Sequence, residues 1–206
     1  MASAVSGSPE SFPEPAPLAP VPRWKSDFPG EELVRSRRLC LRGLKYADIA
    51  ALTRLNADAE VQRHLIDASP TRFFEVTALV SWANQIYLAR PGLGIWHAAD
   101  ASERFVGTFS LMPVEGSDAV EIGVRLVPEA WGRWYALEGG RLLCAHAFAK
   151  LGLPALVGFF APANRVIEIL LRRLGFVPDG EVEHFGKAAL RYVLTAERWR
   201  GRELPA

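Results

Sequence analysis

One segment of the chain constrains the fold more than any other: a strand, a tight turn and a helix that follow one another directly. Alternating apolar residues predict a strand over Ala119–Val127. Trp131-Gly132-Arg133 then forms a turn, and a helix is predicted from Trp134 to Leu151. The start of such a helix points unpaired backbone N–H groups and the positive end of its dipole at one spot. The segment therefore predicts a seat for a pyrophosphate.

A second, shorter helix is predicted further along the chain, over Arg165–Leu174. Asn164 precedes it, and Gly175 and Phe176 follow it. An asparagine in that position caps a helix by accepting a backbone N–H. Capping is therefore one role for Asn164, and contact with the ligand of the first segment is the other.

The length and the proline content predict one folded domain with an extension. A chain of 206 residues suits a single domain plus a tail. Residues 1–30 are rich in Pro, Ala and Ser and hold few large apolar side chains, so they predict a disordered extension. The folded domain is then residues 31–206, with its first strand beginning near Arg37.

Composition excludes several classes of partner. The formal net charge of +1 gives no basic excess for nucleic-acid binding. No apolar run approaches the roughly 20 residues that cross a membrane, so no membrane contact is expected. Cys40 and Cys144 are the only cysteines, in neither a disulfide nor a metal spacing, which favours a reduced, cytoplasmic setting.

Periodicity and turn residues predict the remaining elements in order. Helices are expected from Asp48 to Asn56 and from about Pro70 to Ala89. The other predicted strands are residues 39–42, Gly94–Ala99, Arg104–Met112, Ala155–Phe160, Phe176–Val182 and Ala188–Leu194.

Two motifs carry a resemblance to a known family. Trp131-Gly132-Arg133-Trp134-Tyr135-Ala136 resembles the cofactor turn of the GNAT superfamily of acetyl-CoA-dependent N-acetyltransferases, and it fits at five of six positions the form that this turn has in one branch of the superfamily. The motif resembles most the branch of ribosomal-protein N-terminal acetyltransferases. That branch also has an Asn followed by Gly-Phe at the spacing of Asn164 and Gly175-Phe176. The resemblance implies an α/β domain of GNAT fold, with a mixed, mostly antiparallel sheet of about six or seven strands flanked by about four helices.

The resemblance also implies a reaction and the residues that bind its acyl donor. Acetyl-CoA would give its acetyl group to a primary amine, either a protein N-terminus or a small molecule, by direct attack in a ternary complex. The residues implied in binding acetyl-CoA are Leu126, Val127, Gly132, Arg133, Trp134, Tyr135, Ala136, Asn164 and Arg173. A backbone N–H near Leu126 or Val127 would stabilise the oxyanion.

Trp134 departs from the family pattern, which has glycine there. If the position lies in the first turn of the helix with ordinary helical angles, tryptophan fits and still offers its N–H. If the position needs positive φ, the indole is strained by about 1–3 kcal/mol. We expect the ordinary helical conformation.

Glu121 is the candidate catalytic base. It lies in an otherwise apolar strand, and apolar surroundings raise the pKa of a carboxyl group towards neutrality. A structural ion pair with Arg125 or another neighbour is the alternative role. Arg172 and Arg173 are candidates for CoA phosphates because guanidinium groups pair with phosphate oxygens, although Arg172 also suits an exposed ion pair with Glu168.

Several questions stay open at this stage. Leu171 stands where many relatives have a tyrosine that protonates the leaving thiolate, so either solvent, Tyr135 or another hydroxyl does so, or turnover is poor. Together with Trp134 and Ile167, this leaves a catalytically silent acyl-CoA-binding protein as the second interpretation. The hairpin with Glu181, Glu183 and His184 is either part of the acceptor mouth or a solvated turn. Dimers are common in the branch resembled, so a homodimer is open, and the acceptor is not identified.

Overall fold

The computed structural model describes residues 30–63, 65–67 and 69–201. Its strands are β1 (Glu32–Arg35), β2 (Leu39–Gly43), β3 (Gly94–Asp100), β4 (Phe105–Pro113), β5 (Val120–Leu126), β6 (Ala155–Phe160), β7 (Val177–His184) and β8 (Lys187–Thr195). Its α-helices are α1 (Ile49–Ala57), α2 (Ala59–Gln62), α3 (Phe73–Ala89), α4 (Tyr135–Ala145), α5 (Arg165–Leu174) and α6 (Ala196–Arg200).

The eight strands form one sheet in the order β1-β2-β3-β4-β5-β6-β8-β7. Every recorded strand pair is antiparallel except β5 with β6, which is parallel. A parallel pair needs a crossover connection, and α4 supplies it. The start of α4 therefore lies just beyond the end of β5, at the junction between the two halves of the sheet.

Helices cover both faces of the sheet. Arg125 of β5 reaches Asn56 of α1, so α1 covers the face to which Glu121, Gly123 and Arg125 point. The other face of β4 and β5 holds Phe109, which packs against α4. Successive strand residues alternate between these faces. The strand face with Glu121 is thus separated from the helix α4 by the sheet itself.

Two glycines let α4 pack closely on its neighbours. A Cβ at Gly139 would lie 2.3 Å from ring atoms of the fully buried Phe109, and a Cβ at Gly140 would lie 2.8 Å from Leu174 of α5. Glycine in a helix interior costs about 1 kcal/mol against alanine. The close contacts with β4 and α5 explain why α4 carries a Gly-Gly pair.

The predicted fold class is confirmed, with more elements than the sequence indicated. β1 was not predicted: folding was expected to begin near Arg37, whereas Glu32–Arg35 already pairs with β2. β1 is a four-residue edge strand with exposed, charged ends, so it has little alternating pattern to detect. The short α2 and α6 were also missed, and near the end of the predicted long helix five residues, His146–Lys150, form a π turn.

The predicted extension of residues 1–30 lies outside the described residues except for Gly30, so it stays a prediction. No helix in the described part of the chain has both the length and the apolar character to cross a membrane.

Gly139→Ala is expected to destabilise the fold despite the better helix propensity of alanine. The new methyl group would overlap a buried ring that has no room to retreat, and overpacking of a core costs about 1–3 kcal/mol. Urea denaturation should therefore show a lower free energy of unfolding. Arg141→Ala, at an exposed position of the same helix, is the control and should change it by less than about 0.5 kcal/mol. A more stable Gly139→Ala variant would contradict the packing account.

Candidate functional site

β5 and β6 separate soon after they meet. Within the described residues their pairing is recorded at one position, Glu121 with Val157, whereas β5 stays paired with β4 as far as Leu126. Beyond Glu121, the edge of β5 that faces β6 is therefore without a strand partner. Backbone groups along that edge are available to a ligand, since an unpaired strand edge presents free N–H and C=O groups.

The register of β4 and β5 shows which backbone groups point into this opening. The N–H of Val127 donates to the carbonyl of Val106 at 3.1 Å. Because hydrogen-bonded and non-hydrogen-bonded pairs alternate along an antiparallel ladder, the N–H of Leu126 points away from β4, towards the opening. The carbonyl of Leu126 accepts from the indole N–H of Trp131 at 3.0 Å. Of the two predicted oxyanion donors, Leu126 is thus the better placed, because the Val127 N–H is already used.

The turn that follows β5 differs from the expectation at Trp134. Trp134 is the N-cap residue of α4, with φ 68° and ψ 4°, which is the left-handed conformation. The prediction of ordinary helical angles was wrong, because α4 begins one residue later, at Tyr135. Trp134 therefore adopts the conformation that a glycine at this position would adopt without strain.

The first turn of α4 offers unpaired donors. The backbone N–H groups of Tyr135, Ala136 and Leu137 precede the first intrahelical bond, which runs from Glu138 to the carbonyl of Trp134 at 3.0 Å. Within the described residues no side chain caps this end of the helix, and a Cβ at Gly132 would meet no atom within 4 Å. Free N–H groups at an open helix start form an anion site.

Two residues between β1 and β2 hold the turn in place. The guanidinium group of Arg38 donates to the carbonyl of Arg133 at 2.6 Å and lies 5.0 Å from the centre of the Tyr135 ring. Arg38 also lies 3.6 Å from Glu138, whose carboxylate accepts from the hydroxyl of Ser36. Neither Arg38 nor Ser36 could be recognised from the sequence, because both lie about 100 positions away from the turn in the chain and share no motif with it.

The indole of Trp134 is largely exposed and contacts α5. It is 56% exposed, and the guanidinium group of Arg173 lies 4.8 Å from the centre of its ring. This cation–π contact joins the start of α4 to the end of α5. The structure thereby brings together two of the predicted cofactor residues, Trp134 and Arg173.

The side chains of α5 divide between capping, core and surface. Asn164 caps the helix, with its Oδ1 accepting from the N–H of Ile167 at 3.3 Å, and Ile167 packs against the core. Leu171 is buried and would touch a Cβ at Gly158 of β6. Apolar residues therefore fit at 167 and 171, and neither supplies a hydroxyl group.

Arg172 belongs to a surface network of ion pairs and hydrogen bonds. It donates to Glu168 at 3.1 Å and to the hydroxyl of Tyr192 at 2.9 Å. Tyr192 in turn donates to Glu168 at 3.0 Å, and Arg165 lies 2.7 Å from the same carboxylate group. This confirms the ion pair with Glu168 as the role of Arg172 in this structure.

Glu121 lies at the opening between β5 and β6, with a side chain that is 25% exposed. Burial raises the pKa of its carboxyl group to about 7, and the nearby charge of Asp67 adds to the rise. Arg125 is not the ion-pair partner of Glu121, because it donates to Asp67 at 3.0 Å and to Asn56 at 2.9 Å. The neighbour within ion-pair distance of Glu121 is His184, at 3.4 Å. Glu121 is therefore a carboxyl group that titrates near neutral pH, as a general base requires.

Two further residues approach Glu121 from other parts of the chain. The Nε2 atom of His184, at the end of β7, lies 3.4 Å from Oε2 of Glu121. Asp67 comes from the connection between α2 and α3. The sequence left His184 open between the acceptor mouth and a solvated turn, and nothing in the sequence singled out Asp67. The structure places His184 at the opening, with a side chain that is only 15% exposed.

Two further histidines, His97 and His146, have packing roles away from the opening. His97 is buried 3.7 Å from Asp48, and burial, with Arg42, lowers its pKa to about 4. His146 lies 3.1 Å from the carbonyl of Gly92. Both observations agree with the packing roles that their positions in a strand and a helix suggest.

Comparison with known proteins now identifies the class. A family model described as an acetyltransferase (GNAT) domain matches residues 38–177. The match covers more than half of the chain, so the chain belongs to the GNAT acetyltransferase family.

Individual relatives agree with this assignment. The chain is 27% identical over 169 residues to the FsC-acetyl coenzyme A-N(2)-transacetylase of Aspergillus fumigatus, covering 74% of this chain and 72% of that protein. Among solved structures, spermidine N-acetyltransferase from Vibrio cholerae in complex with CoA and spermine has a TM-score of 0.67 at 20% identity, covering 79% of this chain and 98% of that one. A GNAT acetyltransferase from Bacillus anthracis has a TM-score of 0.68 at 16% identity, covering 80% and 98%. These structural likenesses show the fold.

Replacing Trp134 by Gly and by Ala tests the left-handed conformation. Both variants lose the indole and its contact with Arg173, so they differ only in backbone preference. In the left-handed region glycine avoids a steric cost of about 1–2 kcal/mol that alanine incurs. The Gly variant should therefore have the higher free energy of unfolding in urea. The opposite order, alanine more stable by about 1 kcal/mol, is what a right-handed helical position would give.

Proposed function

We propose that this protein is an N-acetyltransferase that moves the acetyl group of acetyl-CoA to a primary amine by direct attack in a ternary complex. The observation that carries the proposal is Glu121, a carboxyl group with a pKa near 7 at the opening between β5 and β6. The start of α4 and the N–H of Leu126 border the same opening. Membership of the GNAT family supports this combination of a base and an acyl-CoA seat.

The residues present fit the acyl donor. The N–H groups of Tyr135, Ala136 and Leu137 suit a diphosphate, since the helix dipole favours negative charge there. Arg133 and Arg173 bring positive charge to the same turn. The Vibrio cholerae structure holds CoA on a similar fold, which supports acetyl-CoA as the donor. Gly132 leaves the surface above the turn open.

The chain's own residues then divide the chemistry between them. Glu121, as carboxylate, takes a proton from the ammonium form of the acceptor, so that the nitrogen lone pair is free to attack the acetyl carbonyl. The N–H of Leu126 stabilises the negative charge that develops on the carbonyl oxygen. As the carbon–sulfur bond breaks, the thiolate takes a proton from solvent, because Leu171 supplies none.

The acceptor that we favour is a small, cationic primary amine. Asp67 and Glu121 place two carboxyl groups at the opening, and an ammonium group is attracted to both. The spermidine N-acetyltransferase of Vibrio cholerae, named above, is solved with spermine, a small molecule that bears amines. A protein N-terminus, which the resemblance to the ribosomal-protein branch implies, is the alternative acceptor. A thiol-release screen over polyamines, amino-acid derivatives and short peptides distinguishes the two.

The second candidate function is a catalytically silent acyl-CoA-binding protein. Trp134, Ile167 and Leu171 depart from the family pattern, and this motivates the alternative. Calorimetry with acetyl-CoA that shows binding, together with no thiol release on any amine, would favour it. A homodimer and a cytoplasmic location remain further proposals, the second supported by the reduced thiol of Cys40. Light scattering on the purified protein tests the first.

Glu121→Gln is expected to lower kcat roughly 100-fold or more, the typical contribution of a general base. The calorimetric affinity for acetyl-CoA should change little, because Glu121 lies away from the α4 amides. In the unaltered protein the reactive form is the carboxylate, so kcat/KM should fall as the pH falls through about 7. In the Gln variant, kcat/KM should no longer show the fall at low pH that the titration of Glu121 causes. A variant with unchanged turnover at every pH would exclude Glu121 as the base.

Ala136→Asp tests whether the first turn of α4 binds the diphosphate. A carboxylate there suits the helix dipole, so the fold should tolerate it, but it would repel a bound diphosphate. Affinity for acetyl-CoA should fall at least about ten-fold relative to Ala136→Asn, the uncharged variant of the same shape. The difference should shrink at high salt, because screening weakens the repulsion. Equal affinities of the two variants would place the diphosphate elsewhere.

A further inference from the structure

The hairpin between β7 and β8 has an unusual turn residue beside Glu121. His184 and Lys187 pair across the turn, and the two residues between them, Phe185 and Gly186, have φ of 51° and 71°. Two consecutive positive φ angles are typical of a type I′ turn, which prefers Asn-Gly because side chains such as Phe avoid this conformation. We therefore expect the ring of Phe185 to make a contact that offsets this conformational cost.

That contact is with the ring of His184. The imidazole stacks on the ring of Phe159 with centroids 4.1 Å apart and planes 20° apart. The ring of Phe185 lies 4.3 Å away. Two aromatic contacts, one from β6 and one from the turn itself, thus fix the orientation of the imidazole. In that orientation Nε2 faces the carboxyl group of Glu121 at 3.4 Å.

The Nε2 atom of His184 is buried and has no hydrogen-bond partner within the described residues. The distance of 3.4 Å from Nε2 to Oε2 of Glu121 is that of an ion pair, but the two atoms are not aligned as a hydrogen bond. Buried polar atoms are nearly always hydrogen-bonded, so an exception calls for an explanation. A nitrogen that faces a carboxyl group with a pKa near 7 is placed to exchange a proton with it when a ligand closes the site.

We propose that His184 is the proton partner of Glu121: the two side chains share protons, and His184 removes the proton that Glu121 collects from the acceptor amine. The acceptor ammonium gives its proton to the Glu121 carboxylate. The protonated Oε2 then gives it to Nε2 of neutral His184, and the resulting imidazolium releases a proton to solvent. Glu121 returns to the carboxylate, so protons balance over the cycle. The inference rests on the proposed function, with His184 acting through Glu121.

The charges around the pair come from three elements besides β7. Asp67, from the connection before α3, adds to the raised pKa of Glu121 and opposes the effect of burial, which lowers the pKa of His184. Arg125 of β5 binds Asp67 at 3.0 Å and so offsets its charge. Lys187 of β8 is exposed opposite His184. Within the described residues, these charges raise the pKa of Glu121 towards that of an imidazole and limit the fall in the pKa of His184. The two groups can therefore exchange a proton.

Titration of the imidazole by NMR tests the sharing directly, without any acetyl transfer. Protein labelled at histidine is titrated from pH 4.5 to pH 9 as the unaltered chain and as Glu121→Gln, with His184→Gln identifying the signal. Coupled groups lose their protons in two steps that belong to the pair. The His184 signal should move in two steps in the unaltered protein and in one step in Glu121→Gln. A single step with the same midpoint in both proteins would overturn the proposal.

The pH profile of the reaction separates proton transfer from a merely structural role. The relay needs both Glu121 and His184 unprotonated, so log kcat/KM should rise on the acid side with a slope approaching 2. His184→Gln keeps an amide near the Nε2 position but does not titrate. It should lower kcat ten-fold or more, reduce the slope to 1 and leave the affinity for acetyl-CoA unchanged. A uniform loss of rate with an unchanged slope would contradict the relay.

Lys187→Gln is the matched control, because it removes a titratable group from the same hairpin and should leave the profile unchanged. A protein that transfers no acetyl group to any amine would overturn the proposed function. The titration of His184 would still decide whether the pair shares protons.

Discussion

The early separation of β5 from β6 is the constraint on which the rest of the structure depends. The two strands meet at Glu121 and Val157, and β5 then follows β4 alone as far as Leu126. A continued parallel ladder would occupy the Leu126 N–H and close the space beside Glu121. Because the strands part, the sheet has an opening at its centre while β4 and β8 keep each half rigid.

The same separation determines where α4 begins. The chain leaves β5 at Leu126, makes a 3-10 turn over Pro128–Ala130, turns again at Gly132 and starts α4 at Tyr135, so the free N–H groups of the first turn of α4 follow the unpaired end of β5. Trp134 makes this turn in a left-handed conformation that tryptophan rarely adopts. Strained residues persist only where their surroundings hold them, and here Arg38 holds the turn from one side while Arg173 contacts the indole from the other.

The second chemical feature of the site, besides the free N–H groups at the start of α4, is the carboxyl group of Glu121. Arg125 is the cation nearest along the strand, but it is engaged by Asp67 and Asn56. Glu121 is left among apolar neighbours and faces His184 instead. A carboxyl group without a cationic partner keeps a raised pKa. The distribution of charges on this face of the sheet therefore keeps the pKa of Glu121 near 7.

The local pattern of residues was enough to predict the order of most elements, because hydrophobic periodicity and turn residues act over a few positions, whereas the GNAT fold was implied by the resemblance of two motifs to that family. The local pattern also singled out Glu121, a lone carboxylate in an apolar strand. Only the tertiary structure decided that Trp134 is left-handed, that Arg125 binds Asp67 and that His184 faces Glu121. Each of these depends on contacts between segments far apart in the chain, and neither spacing nor composition records which distant side chain a buried group will meet.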